Sequence, residues 1–443
     1  MQRNGPPLSA PSTMRVLVIS TYFPNAAERL RAVFVHHLVS AMQRRCQVQV
    51  IAPVPYIPPL PPLPPSPAWL LALLQRPHWR AQRAIPAQEN IGGIDVDHPR
   101  FLVVPKLGCC SGVSYFLGIL RLLWRRAKEG GGGAVIVQVH CAYPDAVGVA
   151  LAATLLGVPY VITAHGSDIN VYAQRRTLRF QMRWALRHAA GVIAVSGALQ
   201  AKIERLIDPG SGSSSVSSPG SSPGRAAVAC IPCAAFDPQV FFPASRGAAR
   251  AALGVGAQAR LVVFVGQLVP IKGIGFLIEA WAELARRGQL GASDRLVIVG
   301  DGPCCCALER QALGAGLAGC VQFVAALSQT GVARWMAAAS LLCLPSLDEG
   351  TPNVIVEALA SGVPVVASGV GGIPDLICDG RNGFLVAPAN SLALADAFER
   401  GFAQHWDALA IAASVAALTW PAIAERNGAF LQSILDDTHA SVD

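Results

Sequence analysis

The chain has 443 residues, more than one ordinary hydrophobic core organises, so two domains are expected. Hydrophobic residues make up 52% and charged residues 14%, yet the uncharged stretch from Ala146 to His165 is broken by Gly157-Val158-Pro159. A helix, a tight turn and a buried strand explain that stretch better than a membrane span of ~20 residues. The formal charge of +8 is divided unevenly: residues 1–226 hold 23 Lys and Arg against 9 Asp and Glu, and residues 227–443 hold 12 against 18. A basic first half and an acidic second half imply different partners.

Met1 to Thr13 is polar and Pro-rich and lacks the basic-then-apolar order of a secretory signal. The chain is therefore read as cytoplasmic, with its 12 cysteines as reduced thiols. "RVLVIS" (15–20) reads as the first strand, "RAVFVHHLVSAMQRR" (31–45) as a helix and "QVQVIAP" (47–53) as the next strand. "PPLPPLPPSP" (58–67) reads as an extended surface loop or lid. "AVIVQVH" (134–140), "PYVITAH" (159–165) and "GVIAVS" (191–196) continue the series of strands. "PGSGSSSVSSPGSSPG" (209–224) reads as a disordered surface insertion, and a hinge is expected near Pro232–Pro238. The rhythm then restarts with "RLVVFVG" (260–266), "RLVIVG" (295–300), "VQFVA" (321–325), "SLLCLPS" (340–346) and "VPVVAS" (363–368). Runs apolar on both faces belong to parallel sheets covered by helices. The expected fold class is α/β, two doubly wound parallel-sheet domains over 14–235 and 236–410. The last helix, 420–435, is expected to join the first domain.

Chemistry is sought in the loops beyond the strands' carboxyl ends. The loop "QLVPIKGIG" (267–275) places Lys272 beside Gly273 and a helix start, a combination suited to a phosphate. Gly273-x-Gly275 lacks the third glycine of a dinucleotide fingerprint, since Ile278 stands there. In "LDEGTP" (347–352), Thr351 is the expected N-cap and Pro352 the first-turn residue. The N–H groups near residues 350–354 would then form an anion site, with Glu349 ahead of it and Glu357 about two turns into the helix. One carboxylate could accept from a sugar and the other from a ribose. The plainer readings are a helix-start acid for Glu349 and a solvated acid for Glu357. His165 ends one strand and His140 another, so the two are expected to be neighbours across adjacent strands, as ligand contacts or as structural histidines. Asp168 is expected to cap the following helix. Cys230-x-x-Cys233 lacks a partner pair and Cys304-Cys305-Cys306 is too tight for chelation, so no metal site is expected. "RLLWRRAK" (121–128) and "RRTLRFQMRWALR" (175–187) set Arg beside Trp, Phe and Leu, as helices on an anionic membrane do, or as solvated faces do. No motif supports a nucleic-acid partner.

The stretch "EGTPNVIVEALASGVPVVASGVGGIPDLICDGRNGFLV" (349–386) holds two glutamates with seven residues between them. Together with "FVGQLVPIKGI" (264–274), "LVIVGDGP" (296–303) and "AHGSD" (164–168), it resembles glycosyltransferase family 4 from Met14 to about Leu435. Within that family it is most similar to members that assemble exopolysaccharides and cell-wall polymers. The resemblance implies the GT-B architecture, two Rossmann-like lobes facing a cleft. It implies a retaining transfer of a hexose from a nucleotide diphosphate sugar to a lipid-linked or saccharide acceptor, without a metal or other cofactor. The basic first half, for its part, adds the expectation of peripheral attachment to anionic lipid at the inner face of the cytoplasmic membrane. Lys272 would bind the donor diphosphate with Gln267 nearby. The backbone of Gly350, Thr351, Pro352, Asn353 and Val354 would cradle it. Glu349 would contact the transferred sugar, Glu357 the ribose, and His165 the sugar. The chain departs from the family pattern at several places. Gln267 stands where Arg is frequent, Ile271 where Glu is, and Ala32 where Gly is. "IPCAAFD" (231–237) replaces Ile-Pro-Asn-Gly-Val-Asp. A sugar-nucleotide epimerase or phosphorylase of the same shape, and an inactive membrane-associated scaffold, are the competing readings.

Overall fold

Each β-branched run singled out in the sequence forms a strand in the computed structural model, which describes residues 14–29, 32–57, 77–103, 108–129, 134–208 and 226–440. The Pro-rich segment 58–67 and the Gly/Ser-rich segment 209–224 lie outside the described residues. The chain divides into two compact units: Met1–Val195 with Leu199–Ile231 and Ile423–Asp443, and Ser196–Ala198 with Pro232–Ala422.

In the first unit the strands are β1 (Arg15–Ile19), β2 (Gln47–Ile51), β3 (Val54–Tyr56), β4 (Gln88–Ile91), β5 (Ile94–Asp97), β6 (Arg100–Leu102), β7 (Val135–His140), β8 (Tyr160–Ala164), β9 (Gly191–Ala194) and β10 (Ala227–Cys230). Eight of them form one sheet in the order β10-β9-β8-β7-β1-β2-β5-β4, and β3 pairs with β6 separately. Every residue of β1, β8 and β9 is buried, as helices on both faces require. One pairing departs from the expected parallel pattern. β4 and β5 run antiparallel and are joined by Gly92-Gly93, with φ of 58° and 87°. Positive φ at both central residues is what a tight two-residue hairpin turn needs, and glycine adopts it freely.

The second unit holds β11 (Leu261–Val265), β12 (Arg295–Val299), β13 (Val321–Val324), β14 (Leu341–Leu344), β15 (Val365–Ser368) and β16 (Gly383–Val386). They form an all-parallel sheet in the order β13-β12-β11-β14-β15-β16. Its core packs Trp281, Phe264, Phe398 and Leu277, all fully buried, against the sheet. The unit begins at Pro232 and runs to Ala422, beyond the 236 and 410 expected from the sequence. The physical reason is bonding. Phe236 N–H donates to Leu418 O at 3.1 Å, and Ala235 N–H donates to Asn353 Oδ1 at 3.3 Å.

The helix Trp420–Ala440 leaves the second unit and, from Ile423, packs on the first. Phe430 and Ile434 lie over Gly191 of β9, so close that a Cβ there would meet Phe430 at 2.9 Å. Among the described residues no helix is long and apolar enough to cross a membrane.

Ala32 caps the helix Val33–Met42 in the left-handed region, at φ 43° and ψ 46°. A Cβ is penalised there, which is the physical reason glycine suits the position. Ala32→Gly is expected to stabilise the protein by about 1 kcal/mol, read as a rise in the denaturant midpoint at constant slope.

Candidate functional site

In the second unit the chain winds outward from β11 through β12 to β13, then returns to β14 beside β11 and winds the other way. The point where strand order reverses therefore lies between β11 and β14, where open α/β sheets bind ligands. Lys272 follows β11 and Glu349 follows β14. Two close approaches hold their loops together. Gly273 has φ 64°, and a Cβ on it would lie 2.1 Å from Pro345 O. Leu347 N–H donates to Ile271 O at 2.8 Å. The loop 369–372 supports the other side. A Cβ on Gly371 would meet Glu349 O at 1.9 Å, and Gly372 N–H donates to Gly350 O at 2.7 Å.

These contacts bring the two charges together. Lys272 Nζ lies 2.5 Å from Glu349 Oε1, and the buried Ser346 donates its hydroxyl to the same oxygen at 2.7 Å. Glu349 Oε2 has no partner among the described residues. One oxygen is anchored and the other is open. The carboxylate side chain is only 10% exposed, so a hydrogen bond made there is stronger than one in water.

Glu357 sits in the helix Asn353–Ala360 between the buried Val356 and Ala358. It is half-buried, and its carboxyl has no hydrogen-bond or ion-pair partner among the described residues. Burial pushes its pKa up to about 7. The solvated-acid reading does not hold. The cap expectation is also corrected. Pro352, not Thr351, is the N-cap, in extended conformation, and no side chain caps the helix. Pro352 has no N–H to donate and is fixed near the φ of −79° seen here, so it ends the loop without help from Thr351. The N–H groups of Asn353 and Val354 have no acceptor within the helix, while Ile355 N–H donates to Pro352 O at 3.3 Å. Asn353 directs its side-chain oxygen to Ala235 N–H rather than outward. Gln267 is exposed on the loop after β11.

In the first unit the reversal lies between β1 and β7. Fully buried Asp145 bridges it, accepting from Thr21 N–H at 2.7 Å and from Thr21 Oγ1 at 2.5 Å. His140 ends β7, and His165 follows β8 on the adjacent strand. The two rings lie edge to edge in nearly one plane, 12° apart with centroids 5.2 Å apart, and His140 Nδ1 is 3.0 Å from His165 Nε2. Phe34 presents its ring to His165 at 5.0 Å. Burial pushes both imidazole pKa values down, strongly for His140; nearby His165 lowers His140 further, and Asp168 offsets part of the fall for His165. Asp168 is not a helix cap. Gly166 holds the cap position at φ 105°, and Asp168 Oδ1 accepts from the N–H groups of His165, Gly166 and Ile169. Its Oδ2 accepts from Ala142 N–H at 2.7 Å, so one carboxylate ties the end of β7 to the end of β8. Ser346 and Asp145 were not singled out from the sequence. A serine one proline past a buried strand, three residues before Glu349, was the available signal for Ser346.

Two family models match the chain: "Glycosyl transferase 4-like domain" over residues 32–210 and "Glycosyl transferases group 1" over 259–404. TuaC of Bacillus subtilis (strain 168), named as a teichuronic acid biosynthesis glycosyltransferase, is 30% identical over 390 residues, covering 87% of this chain and 89% of that protein. The chain belongs to glycosyltransferase family 4. A D-inositol 3-phosphate glycosyltransferase of Nocardioides sp. is 39% identical over 173 residues, 36% of this chain and 38% of that protein. Among solved structures, this glycosyltransferase superposes on sucrose-phosphate synthase from Thermosynechococcus elongatus with a TM-score of 0.70 at 20% identity, covering 96% and 100% of the two chains. It superposes on HepE of Anabaena, solved in complex with UDP, at 0.65 and 21%, covering 95% and 100%. These likenesses show the fold, GT-B, with its two Rossmann-like units.

The Glu357 carboxyl has a consequence for the glycosyltransferase's stability. Between its ordinary value of 4.5 and about 7, the folded protein holds a proton that the unfolded chain has released. Stability therefore falls as pH rises through that window and levels above it. Glu357→Gln is expected to add on the order of 2 kcal/mol at pH 8, after discounting for partial exposure, and nothing below pH 4. Urea denaturation at the two pH values checks both the size and the sign.

Proposed function

We propose that the protein is a retaining glycosyltransferase that moves a hexose from a nucleotide diphosphate sugar to a lipid-linked or saccharide acceptor in polysaccharide biosynthesis. The observation that carries this reading is the charge arrangement at the reversal point of the second sheet. A lysine and two carboxylates, one with an oxygen open and one unpartnered among the described residues, stand on loops and a helix around that point. A metal-binding carboxylate cluster would look different, because there the acids converge without a lysine paired to one of them.

In this reading Lys272 meets the diphosphate, and the first-turn N–H groups of the helix Asn353–Ala360 bear on it as a fixed positive pole. Departure of the nucleoside diphosphate concentrates negative charge on the phosphate. Groups already held in place stabilise that charge without reorganising. No metal or other cofactor is required, since the lysine and backbone donors supply the positive charge. Glu349 Oε2 accepts from a hydroxyl of the transferred sugar. Glu357 accepts from the ribose, and pairing there relieves the cost of an isolated buried carboxylate. Gln267, in place of a frequent Arg, adds a neutral donor to the loop. His165 is proposed to contact the sugar, supported by its place beyond β8. The acceptor hydroxyl attacks from the face the diphosphate leaves, and the departing phosphate takes its proton, so the anomeric configuration is kept. The name of TuaC, a teichuronic acid biosynthesis glycosyltransferase, supports a polymer-building context. HepE, solved with UDP-glucose, supports a nucleotide sugar as donor.

A contact with anionic lipid is part of the same proposal and would place the enzyme at the inner face of the cytoplasmic membrane. The helix Ser111–Lys128 exposes Val113, Leu117 and Trp124, with Lys128 Nζ 4.6 Å over the Trp124 ring. The helix Arg176–His188 exposes Phe180 among arginines. Apolar bodies beside cations fit the boundary of an anionic bilayer, and no nucleic-acid partner is proposed.

Lys272→Ala and Glu349→Gln are each expected to lower turnover about 10²–10³-fold with the fold intact by circular dichroism. The donor for this assay is found by a mass-shift screen of nucleotide sugars against lipid extract. Unchanged turnover in either variant rejects the assignment, and an inverted anomeric proton coupling in the product rejects retention. Vesicles containing anionic lipid should co-sediment the protein at low salt and release it as salt rises. Failure to co-sediment at low salt removes the membrane contact.

A further inference from the structure

His140 is fully buried, ends β7 and belongs to none of the roles assigned above. Its Nδ1 lies 3.0 Å from His165 Nε2, while its own Nε2 is buried without a partner among the described residues. A contact at that distance between two ring nitrogens requires one proton between them. Two arrangements supply it. If His165 gave the proton from Nε2, neutral His140 would carry its proton on Nε2 and bury an N–H with no acceptor. If His140 gives the proton from Nδ1, its buried Nε2 holds only a lone pair. Orphaned buried N–H groups are the rarer and costlier case. His165 is partly exposed, and its Nδ1 has no partner among the described residues.

We infer that His140 is a positioning residue for the proposed sugar contact: it donates its Nδ1 proton to His165 Nε2 and fixes His165 in the Nδ1–H tautomer, leaving that N–H as the donor offered to the substrate. The inference rests on the reading of His165 as a sugar contact only for its catalytic consequence. The tautomer follows from the pair itself. The surroundings hold the pair in place. Asp168 accepts from the backbone of His165 and of Ala142, and Phe34 closes one side of the His165 ring. Burial keeps both rings neutral near pH 7, so a tautomer rather than a charge is being chosen.

The test is ¹⁵N NMR of the histidine side chains in the full-length protein at pH 7.5, where a free neutral imidazole prefers Nε2–H. The expected result is a protonated Nδ1 and an unprotonated Nε2 at His165; a protonated Nε2 there overturns the inference. His140→Phe removes the donor. It is expected to return His165 to Nε2–H and to lower kcat about tenfold, one neutral hydrogen bond's worth, with the donor KM little changed. His140→Asn, whose amide nitrogen lies near the place of Nδ1, is expected to restore both the tautomer and kcat. An unchanged tautomer in His140→Phe overturns the inference as well, and if that variant does not fold, the unsubstituted protein's spectrum decides alone. His165→Ala separates the two readings. Full turnover in that variant with the Nδ1–H tautomer present in the parent protein removes His165 as a sugar contact and leaves the pairing standing.

Discussion

Both sheets are covered on both faces, and this constraint governs where chemistry can occur. Along a strand such as β14, buried at every residue, a polar side chain has no access to solvent or ligand, and those the sheets do hold, such as Gln138 and Thr163, bond to each other. Backbone groups inside the sheet are consumed by the parallel ladders. Polar side chains are therefore displaced to the loops beyond the strands, and the reversal of strand order opens a gap in which they can gather. Lys272, Ser346, Glu349, His140, His165 and Asp145 all lie at or beyond a strand end of this kind.

Within the second unit the two carboxylates are treated in opposite ways, and the difference has a physical reading. Glu349 is compensated by a cation and a hydroxyl, so its charge is stabilised. Glu357 is half-buried with no compensation, and its proton is held up to about neutral pH. A protein that wanted stability alone would place an apolar or amide side chain there. Retaining an uncompensated acid costs folding free energy, and a bound polyol that donates to it would recover that cost. Stability and ligand affinity are thus opposed at this one position.

The first unit solves a different problem, that of holding short loops rigid with few charges. Asp168 accepts four backbone N–H groups, from His165, Gly166, Ile169 and Ala142. That clamp sets the spacing of the strand ends that carry the two histidines. Asp145 does the same across β1 and β7 through Thr21. Buried carboxylates satisfied by backbone donors are structural anchors here, and they leave the imidazoles free to act.

Much of this was written locally along the chain. The period of buried β-branched runs determined two parallel-sheet domains, because only a sheet covered on both faces accepts such runs. The Gly92-Gly93 pair between alternating residues carried the signal for the β4–β5 hairpin, although an emphasis on fully apolar runs passes over a half-exposed edge strand. The short β10 and β16 were missed for the same reason, being partly buried at sheet edges. Lys272, Glu349 and Glu357 were legible as candidates by residue type and loop position. Their pairing was not, since 77 residues separate Lys272 from Glu349 and only the adjacency of β11 and β14 joins them. That His140 and His165 are neighbours was legible from their strand-end positions; tertiary structure alone decided which ring nitrogens meet, that Glu357 has no partner among the described residues, and that Asp168 clamps two strands instead of capping a helix. Each of these depends on which atoms from distant segments arrive at one place, and no local pattern encodes that.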